Sequence, residues 1–292
     1  MKGADKMANK KLKAPVNIPV EKIHPFEGYP YKVLDNDEMN NLIESIQQKG
    51  VISPIVVRPL ENTTDEYEII SGHRRLRASV KAGLETVPAL IYAVSRDEAA
   101  IILVDSNLHR EHIFPSEKAF AYKLKLEAIK RQGERTDLTS RQVVGKLESA
   151  DIVSETESGR QVQRYIRLTN LIPELLDLVD EERIAFTPAV ELSYLNEVEQ
   201  ADLVEEIRVC DATPNLSQAQ RLRAISREEG LTPEHIGEIL SEEKANQREK
   251  IKIPAERIRK YFPKSYTTEQ IEEAIIKICE SRYRARRDRD AR

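Results

Sequence analysis

The chain has 292 residues, of which 40% are hydrophobic and 33% charged, with a formal net charge of −4. That length accommodates two or three domains, each with a buried core, and the composition predicts a soluble, helix-rich protein. No apolar run approaches the roughly 18 residues that a membrane-spanning helix needs, and the basic start from Met1 to Lys6 lacks the apolar centre of a secretory signal. A cytoplasmic protein is therefore predicted. Cys210 and Cys279 are far apart and share no ligand spacing, so they read as buried small hydrophobes or bystanders in a reducing compartment.

Residues 1–15 are polar and rich in lysine, which predicts a mobile basic tail. Residues 16–104 read as a small α/β domain. Helical periodicity runs from Glu38 to Gln48 through Met39, Leu42, Ile43 and Ile46, with Gly50 placed to stop it. Ile55-Val56-Val57 is a short buried strand and Glu66 to Ile70 another, joined by the hairpin-loop residues Asn62 to Asp65. A helix from Arg74 to Ala82, closed by Gly83, leads to a third strand over Val87 to Val94, and Asp97 to Val104 opens the helical part.

Residues 105–175 form the next unit. Pro115 and Ser116 start a long helix to Gln132, with Gly133 past its end. Two capping-box starts follow, Thr139-x-x-Gln142 and Ser158-x-x-Gln161. Two capped amphipathic helices in succession, the second basic, outline a helix-turn-helix. On the second, Val162, Tyr165, Ile166 and Thr169 share one face, while Arg160, Gln161, Gln163, Arg164 and Arg167 take the other. Arginine and glutamine pair in bidentate fashion with guanine and adenine edges, and arginine also grips phosphate.

Charge is distributed unevenly beyond that point, and distribution matters more than the sum. Residues 174–206 carry eleven acidic side chains against the single base Arg183. The acidic helical region and its linker occupy residues 176–248, with helix starts at Thr187-Pro188 and Thr232-Pro233. Residues 249–292 hold a strand-like Ile251 to Pro254, a helix over Ala255 to Tyr261 and another over Thr268 to Glu280. The apolar stripe of that last helix, Ile271, Ala274, Ile275 and Ile278, is too narrow for a core and predicts dimerisation. Six arginines crowd the last eleven residues, enough to hold DNA through phosphate contacts.

The most informative stretch is Ser71-Gly72-His73-Arg74-Arg75-Leu76-Arg77-Ala78, which follows a strand and opens a helix. Glycine there lets the backbone approach a ligand, and a helix N-terminus presents N–H groups and a positive dipole end to an anion. Taken alone, the segment is better accounted for as a solvated basic helix start. A second basic segment, Ser106-Asn107-Leu108-His109-Arg110-Glu111, lies downstream.

Together these resemble the paired phosphate-binding motifs of the ParB partition-protein family, Gly-Glu-Arg-Arg-x-Arg-Ala and Glu-Asn-x-Gln-Arg. The resemblance extends in order to Ile18–Ile23, to Gly50–Arg58 and to Pro115-Ser116-Glu117-Lys118-Ala119, and covers residues 16 to about 175. It implies an α+β chain: a ParB/sulfiredoxin-like α/β N-terminal domain, an all-α helix-turn-helix domain and a small C-terminal dimerisation domain. It also implies CTP and Mg2+ as ligands, with Ser71, Gly72, His73, Arg74, Arg75, Asn107 and Arg110 in the site and Asn107 toward the metal. The implied partners are a palindromic site in double-stranded DNA, a ParA-type ATPase and a second copy of the chain. The implied role is segregation of a plasmid or mobile element.

Departures from the pattern bear on mechanism. His73 stands where the family usually has glutamate, and Ser106 replaces the second motif's glutamate. A serine hydroxyl is no general base at such a site, so CTP hydrolysis is expected to be slow or absent; Asp105, one residue away, is a neighbouring substitute whose side chain points elsewhere on a helix. A typical family turn of a few residues is expanded here to Ser149–Glu157. Two rival readings remain: a helix-turn-helix transcriptional regulator with a vestigial pocket, and a small-molecule enzyme of the superfamily. The sulfiredoxin motif Gly-Cys-His-Arg lacks its cysteine nucleophile here, and His109-x-x-His112 is read as two exposed histidines, not a metal pair. No Walker lysine motif is present.

Overall fold

The computed structural model describes residues 14–108, 110, 112–137, 153–154, 157–242, 255–263 and 265–290. The predicted tail over residues 1–13, the helix at Thr139-x-x-Gln142, most of the Ser149–Glu157 insertion, His109, the linker beyond Glu242 and the strand-like residues 251–254 lie outside them. Two compact units divide the chain, residues 1–242 and 243–292.

The first unit opens with a five-stranded sheet. Its strands are β1 (Val16–Pro19), β2 (Ile23–His24), β3 (Ile55–Pro59), β4 (Tyr67–Ser71) and β5 (Thr86–Ile91), in the spatial order β1-β5-β3-β4-β2. β3 and β4 form the predicted antiparallel hairpin, whose loop places Asn62 and Asp65 at positive φ, a region that short polar side chains tolerate. β5 and β2 join from either side in parallel, and β1 closes the far edge antiparallel to β5.

Sheet alternation sorts the side chains. Ile55, Val57 and Ile69 pack on one face with Leu76 of α2 (His73–Lys81), against which α1 (Asp37–Lys49) lays Met39 and Ile46. Val56 and Ile70 turn to the other face and meet Ala99, Leu103 and Val104 of α3 (Arg96–Asn107). Within the sheet, Arg58 and Glu68 face each other in register and form a buried ion pair at 2.7 Å.

The long helix α4 (Pro115–Asp137) links the two halves of the unit. Ala121 and Ala128 join the α3 side of the sheet core, whereas Ala119 belongs to a separate all-helical core. That second core collects α6 (Pro173–Asp180), α7 (Phe186–Leu192), α8 (Glu197–Cys210), α9 (Leu216–Glu228) and α10 (Pro233–Ser241). Between α4 and α6 stand α5 (Gly159–Arg167) and a 3-10 turn over Leu168–Asn170.

Local chemistry sets the boundaries. Asn196 and Asn215 make reciprocal capping boxes with Glu199 and Gln218 at the starts of α8 and α9. Thr232 caps α10 ahead of Pro233, as predicted, while α7 starts one residue before Thr187. One other expectation needs correction. Gly133 does not end α4, which continues to Asp137; one interior glycine costs about 1 kcal/mol, less than the packing of so long a helix supplies. Cys210 is partly buried against the helical core, but Cys279 is exposed.

The second unit consists, in its described residues, of α11 (Ala255–Arg259) and α12 (Thr268–Asp290). Along α12, Ile271, Ala274 and Ile275 are half-covered, while Ile276 and Ile278 are more than half exposed. Among the described residues, no helix of either unit is long and apolar enough to cross a membrane.

Candidate nucleotide site and nucleic-acid interface

Gly72 terminates β4 and starts α2 at φ +102°. A Cβ there would meet Ile55 Cγ2 at 2.9 Å and the Arg75 guanidinium carbon at 3.3 Å, so the position admits only glycine without rearrangement. No side chain caps α2, which leaves first-turn N–H groups for an incoming anion. Arg75 folds back over this turn and donates to the carbonyls of Ser53 and Pro54, at 2.7 and 2.6 Å. The half-buried guanidinium has its pKa pulled down by desolvation. Arg74 reaches outward to Glu38 at 2.9 Å. Arg77 is held by Asp35, which also takes Lys81 and stays out of the cradle; those two cations hold the Asp35 carboxyl down to about 2.

His73 faces the opposite way from Arg74. Its ring stacks on Tyr29, with centroids 3.6 Å apart and planes 16° from parallel. Burial, reinforced by the Arg110 charge, pushes the imidazole pKa down to about 3, so the ring is neutral. Its Nε2 is buried without a hydrogen-bond partner among the described residues. Tyr29 packs edge-on against Tyr31 at 5.5 Å. Arg110 of the second motif lies over the Tyr31 ring at 5.3 Å, and its charge acts on the Tyr29 phenol. The Tyr31 hydroxyl is buried and unpartnered as well. Desolvation drives both phenols' pKa upward.

The two motifs thus converge on a pair of tyrosines that the sequence reading did not single out. The signal was present as Gly28-Tyr29-Pro30-Tyr31, two aromatics in a turn, but nothing local says what a turn tyrosine touches.

The end of α3 carries the metal-directed expectation, and among the described residues it offers Mg2+ no free carboxylate. Asn107 is buried and donates its amide to the Leu103 carbonyl at 2.7 Å, while the Ser106 hydroxyl donates to the same carbonyl at 2.9 Å. Asp105, the possible substitute, accepts instead from Lys125 of α4 at 2.5 Å. Among the described residues, no group of three His, Cys, Asp or Glu side chains is placed to hold a metal.

The same loop connects the site to the helices. Lys32, next to Tyr31, donates its backbone N–H to Glu117 at 2.6 Å, and its ammonium bridges Asp177 and Asp180 of α6. Asp180 also accepts from the backbone and hydroxyl of Ser116 at the start of α4, at 3.0 and 2.5 Å.

On α5, Ser158 caps the Gln161 N–H. The reciprocal half of the predicted box is missing because the Gln161 carbonyl oxygen accepts from Arg164 at 3.1 Å. Val162 is buried and Tyr165 meets Tyr122 of α4 edge-on at 5.8 Å. Arg160 and Gln163 are exposed. Arg164 donates to Thr187 and lies over the Phe186 ring at 4.9 Å. Arg167 stacks on Tyr194 at 3.9 Å, and Arg223 of α9 covers the same ring at 3.5 Å. Of the five side chains expected to read DNA, two therefore stand in solvent and Gln161, Arg164 and Arg167 are partly covered. Thr169 is not on α5 at all but in the 3-10 turn after it.

Comparison with known proteins completes this picture. Residues 2–108 match the ParB N-terminal domain family. A nucleoid occlusion protein of Listeria innocua is 35% identical over 193 residues, which are 66% of this chain and 62% of the relative's length. Its counterpart in Listeria monocytogenes serotype 4a is 33% identical over 203 residues, 65% of this chain and 67% of that relative. A C-terminally truncated chromosome-partitioning protein ParB of Caulobacter crescentus, solved with CTP-γ-S, shares 26% identity and covers 66% of this chain and 98% of its own. Its TM-score of 0.31 is too low for that superposition to bear on the arrangement described above. With one motif ending β4, the other ending α3, and about a third of residues identical across two thirds of a nucleoid occlusion protein, the chain belongs to the ParB family.

Proposed function

We propose that this chain is a CTP-responsive, sequence-specific DNA-binding protein of the partition type. One observation supports it most: Arg110 of the second motif lies over Tyr31, which packs against Tyr29, and the Tyr29 ring covers His73 of the first motif, beside Gly72 and Arg75. In this reading Gly72, Arg74, Arg75 and the uncapped turn of α2 hold phosphates, Ser71 and His73 line the pocket, and Asn107 and Arg110 close it. Arg75 and Arg110 are held now by carbonyls and an aromatic ring, partners that a phosphate outcompetes. A ligand that binds the rearranged state more tightly shifts the molecule toward it, and the Lys32 bridge gives that shift a route to α4 and α6. Ser106 supplies no general base, so hydrolysis is slow or absent.

DNA is read by α5, through Arg160 and Gln163 directly and through Gln161, Arg164 and Arg167 where the α7 contacts give way. A homodimer formed along α12 matches a palindromic site in double-stranded DNA, and a ParA-type ATPase is the motor partner. The Listeria relatives are named for nucleoid occlusion and the Caulobacter protein for chromosome partitioning; the cargo in our reading is a plasmid or other mobile element. Calorimetry with CTP, ATP, GTP and UTP on wild type and Arg75→Ala tests the nucleotide half. Selective CTP binding that disappears in the variant is expected. No nucleotide binding, with the DNA site present or absent, would leave the second reading, a helix-turn-helix regulator with a silent pocket, which the Tyr29 ring lying over His73 favours.

A further inference from the structure

The nucleotide reading leaves open how the phosphate charge is neutralised, and the residues at the end of α3 answer it differently from what the family pattern implies. Mg2+ demands a tight octahedron of oxygen ligands and is held by one or two carboxylates together with substrate phosphates. Here the second motif offers Ser106 and Asn107, and both donate to the Leu103 carbonyl inside their own helix. Two carboxylates exert a charge effect on the Tyr31 phenol, Glu117 and Asp105. Each is already bound: Glu117 accepts the Lys32 and Phe114 backbone N–H groups at 2.6 and 3.1 Å, and Asp105 accepts Lys125. At the first motif the family's acid is the neutral, ring-stacked His73. Glu111 lies outside the described residues.

The cradle is rich in the opposite chemistry. Arg75 sits over the Gly72 turn, Arg74 flanks it from the exposed side, Arg110 enters from the second motif, and α2 begins uncapped. Guanidinium forks and oriented N–H groups neutralise phosphate oxygens without any metal.

Resting on the nucleotide reading above, we propose that this site takes its nucleoside triphosphate as the free anion, with arginines in place of the magnesium ion. The departure at Ser106 then changes the ligand form and not merely the hydrolysis rate.

The test is calorimetric titration of CTP into the full chain in Mg2+ and again in EDTA. Equal or tighter binding in EDTA is expected. Weakening by about tenfold or more in EDTA overturns the inference while the nucleotide reading stands. Absence of binding in both buffers sinks the nucleotide reading, and this inference with it. Ser106→Glu, checked for folding by circular dichroism, restores a carboxylate beside Asn107 and is expected to gain an Mg2+ dependence of about tenfold that the wild type lacks. A folded Ser106→Glu protein as indifferent to EDTA as wild type counts against the assignment of this helix end as the metal-determining position. Should that variant fail to fold, the wild-type comparison decides alone.

Discussion

The Tyr29–His73 stack makes the stability of the first unit depend on pH in a calculable way. The His73 pKa falls from an ordinary 6.5 to about 3, through burial first and the Arg110 charge second. Below pH 6.5 the unfolded chain takes up a proton at this position that the folded chain refuses. The unfolded state therefore binds more protons, and stability falls as pH drops from 6.5 toward 3, while above 6.5 nothing changes. Between pH 7 and pH 5 the loss from this one group is about 2 kcal/mol. Any folded-state value well below 5 gives nearly the same figure, because the unfolded state does the titrating in that window. Urea unfolding at pH 7, 6 and 5 measures it, on wild type and on His73→Gln, which keeps a polar side chain but cannot take the proton. Other histidines and carboxylates titrate in both proteins, so the quantity of interest is the difference between the two pH dependences. The variant is expected to lose about 2 kcal/mol less between pH 7 and 5 than wild type, and the His73 ring carbon protons should hold constant NMR shifts across that range. Parallel pH dependences, or a His73 resonance titrating near 6.5, would refute the burial argument.

Other perturbations follow from the same contacts. Glu68→Gln removes the buried partner of Arg58 in the sheet, where both residues are under 5% exposed, leaving it only the exposed Glu61 at 3.7 Å, and should cost about 3 kcal/mol in urea unfolding; the double change to methionine at both positions should recover most of it, and a single variant within experimental error of wild type would show the pair is solvated. Asp180→Asn weakens the bridge from Lys32 to Ser116 and should cost about 1–3 kcal/mol, with faster amide exchange at Lys32 and Ser116; unchanged protection at both would remove the Lys32 loop as the connection between site and helices. Arg160→Ala should leave the melting temperature alone and weaken operator DNA by about 1–3 kcal/mol in an anisotropy titration. Arg164→Ala should in addition lower stability by about 1 kcal/mol, since its guanidinium lies on Phe186 and bonds Thr187. Full operator affinity in both variants would exclude α5 as the reading helix.

Features that repeat along the chain, or are carried by one residue and its immediate neighbours, were legible in the sequence. Helix α1 and its Gly50 stop, the β3–β4 hairpin with Asn62 and Asp65 in its loop, and the strand–glycine–helix turn at Gly72 all follow from periodicity and backbone preference. The edge strands β1 and β2, four and two residues long, carry too little alternation to announce themselves and exist because β5 and β4 offer them free edges. Gly133 reads locally as a stop, yet α4 runs through it to Asp137. Likewise, the basic face of α5 is a property of sequence spacing, but whether an arginine on it meets solvent or a ring depends on α7 and the turn after it, some twenty residues away, bringing Phe186 and Tyr194 against it. The candidate site divides the same way. Its cations and its glycine are written in the two motifs, whereas the neutral His73, the Tyr29 ring covering it, and the engagement of Asp105 with Lys125 arise only when a loop, two helix ends and α4 are brought together. Charge and burial at a point are set by everything packed around it, and that neighbourhood is a product of the tertiary fold.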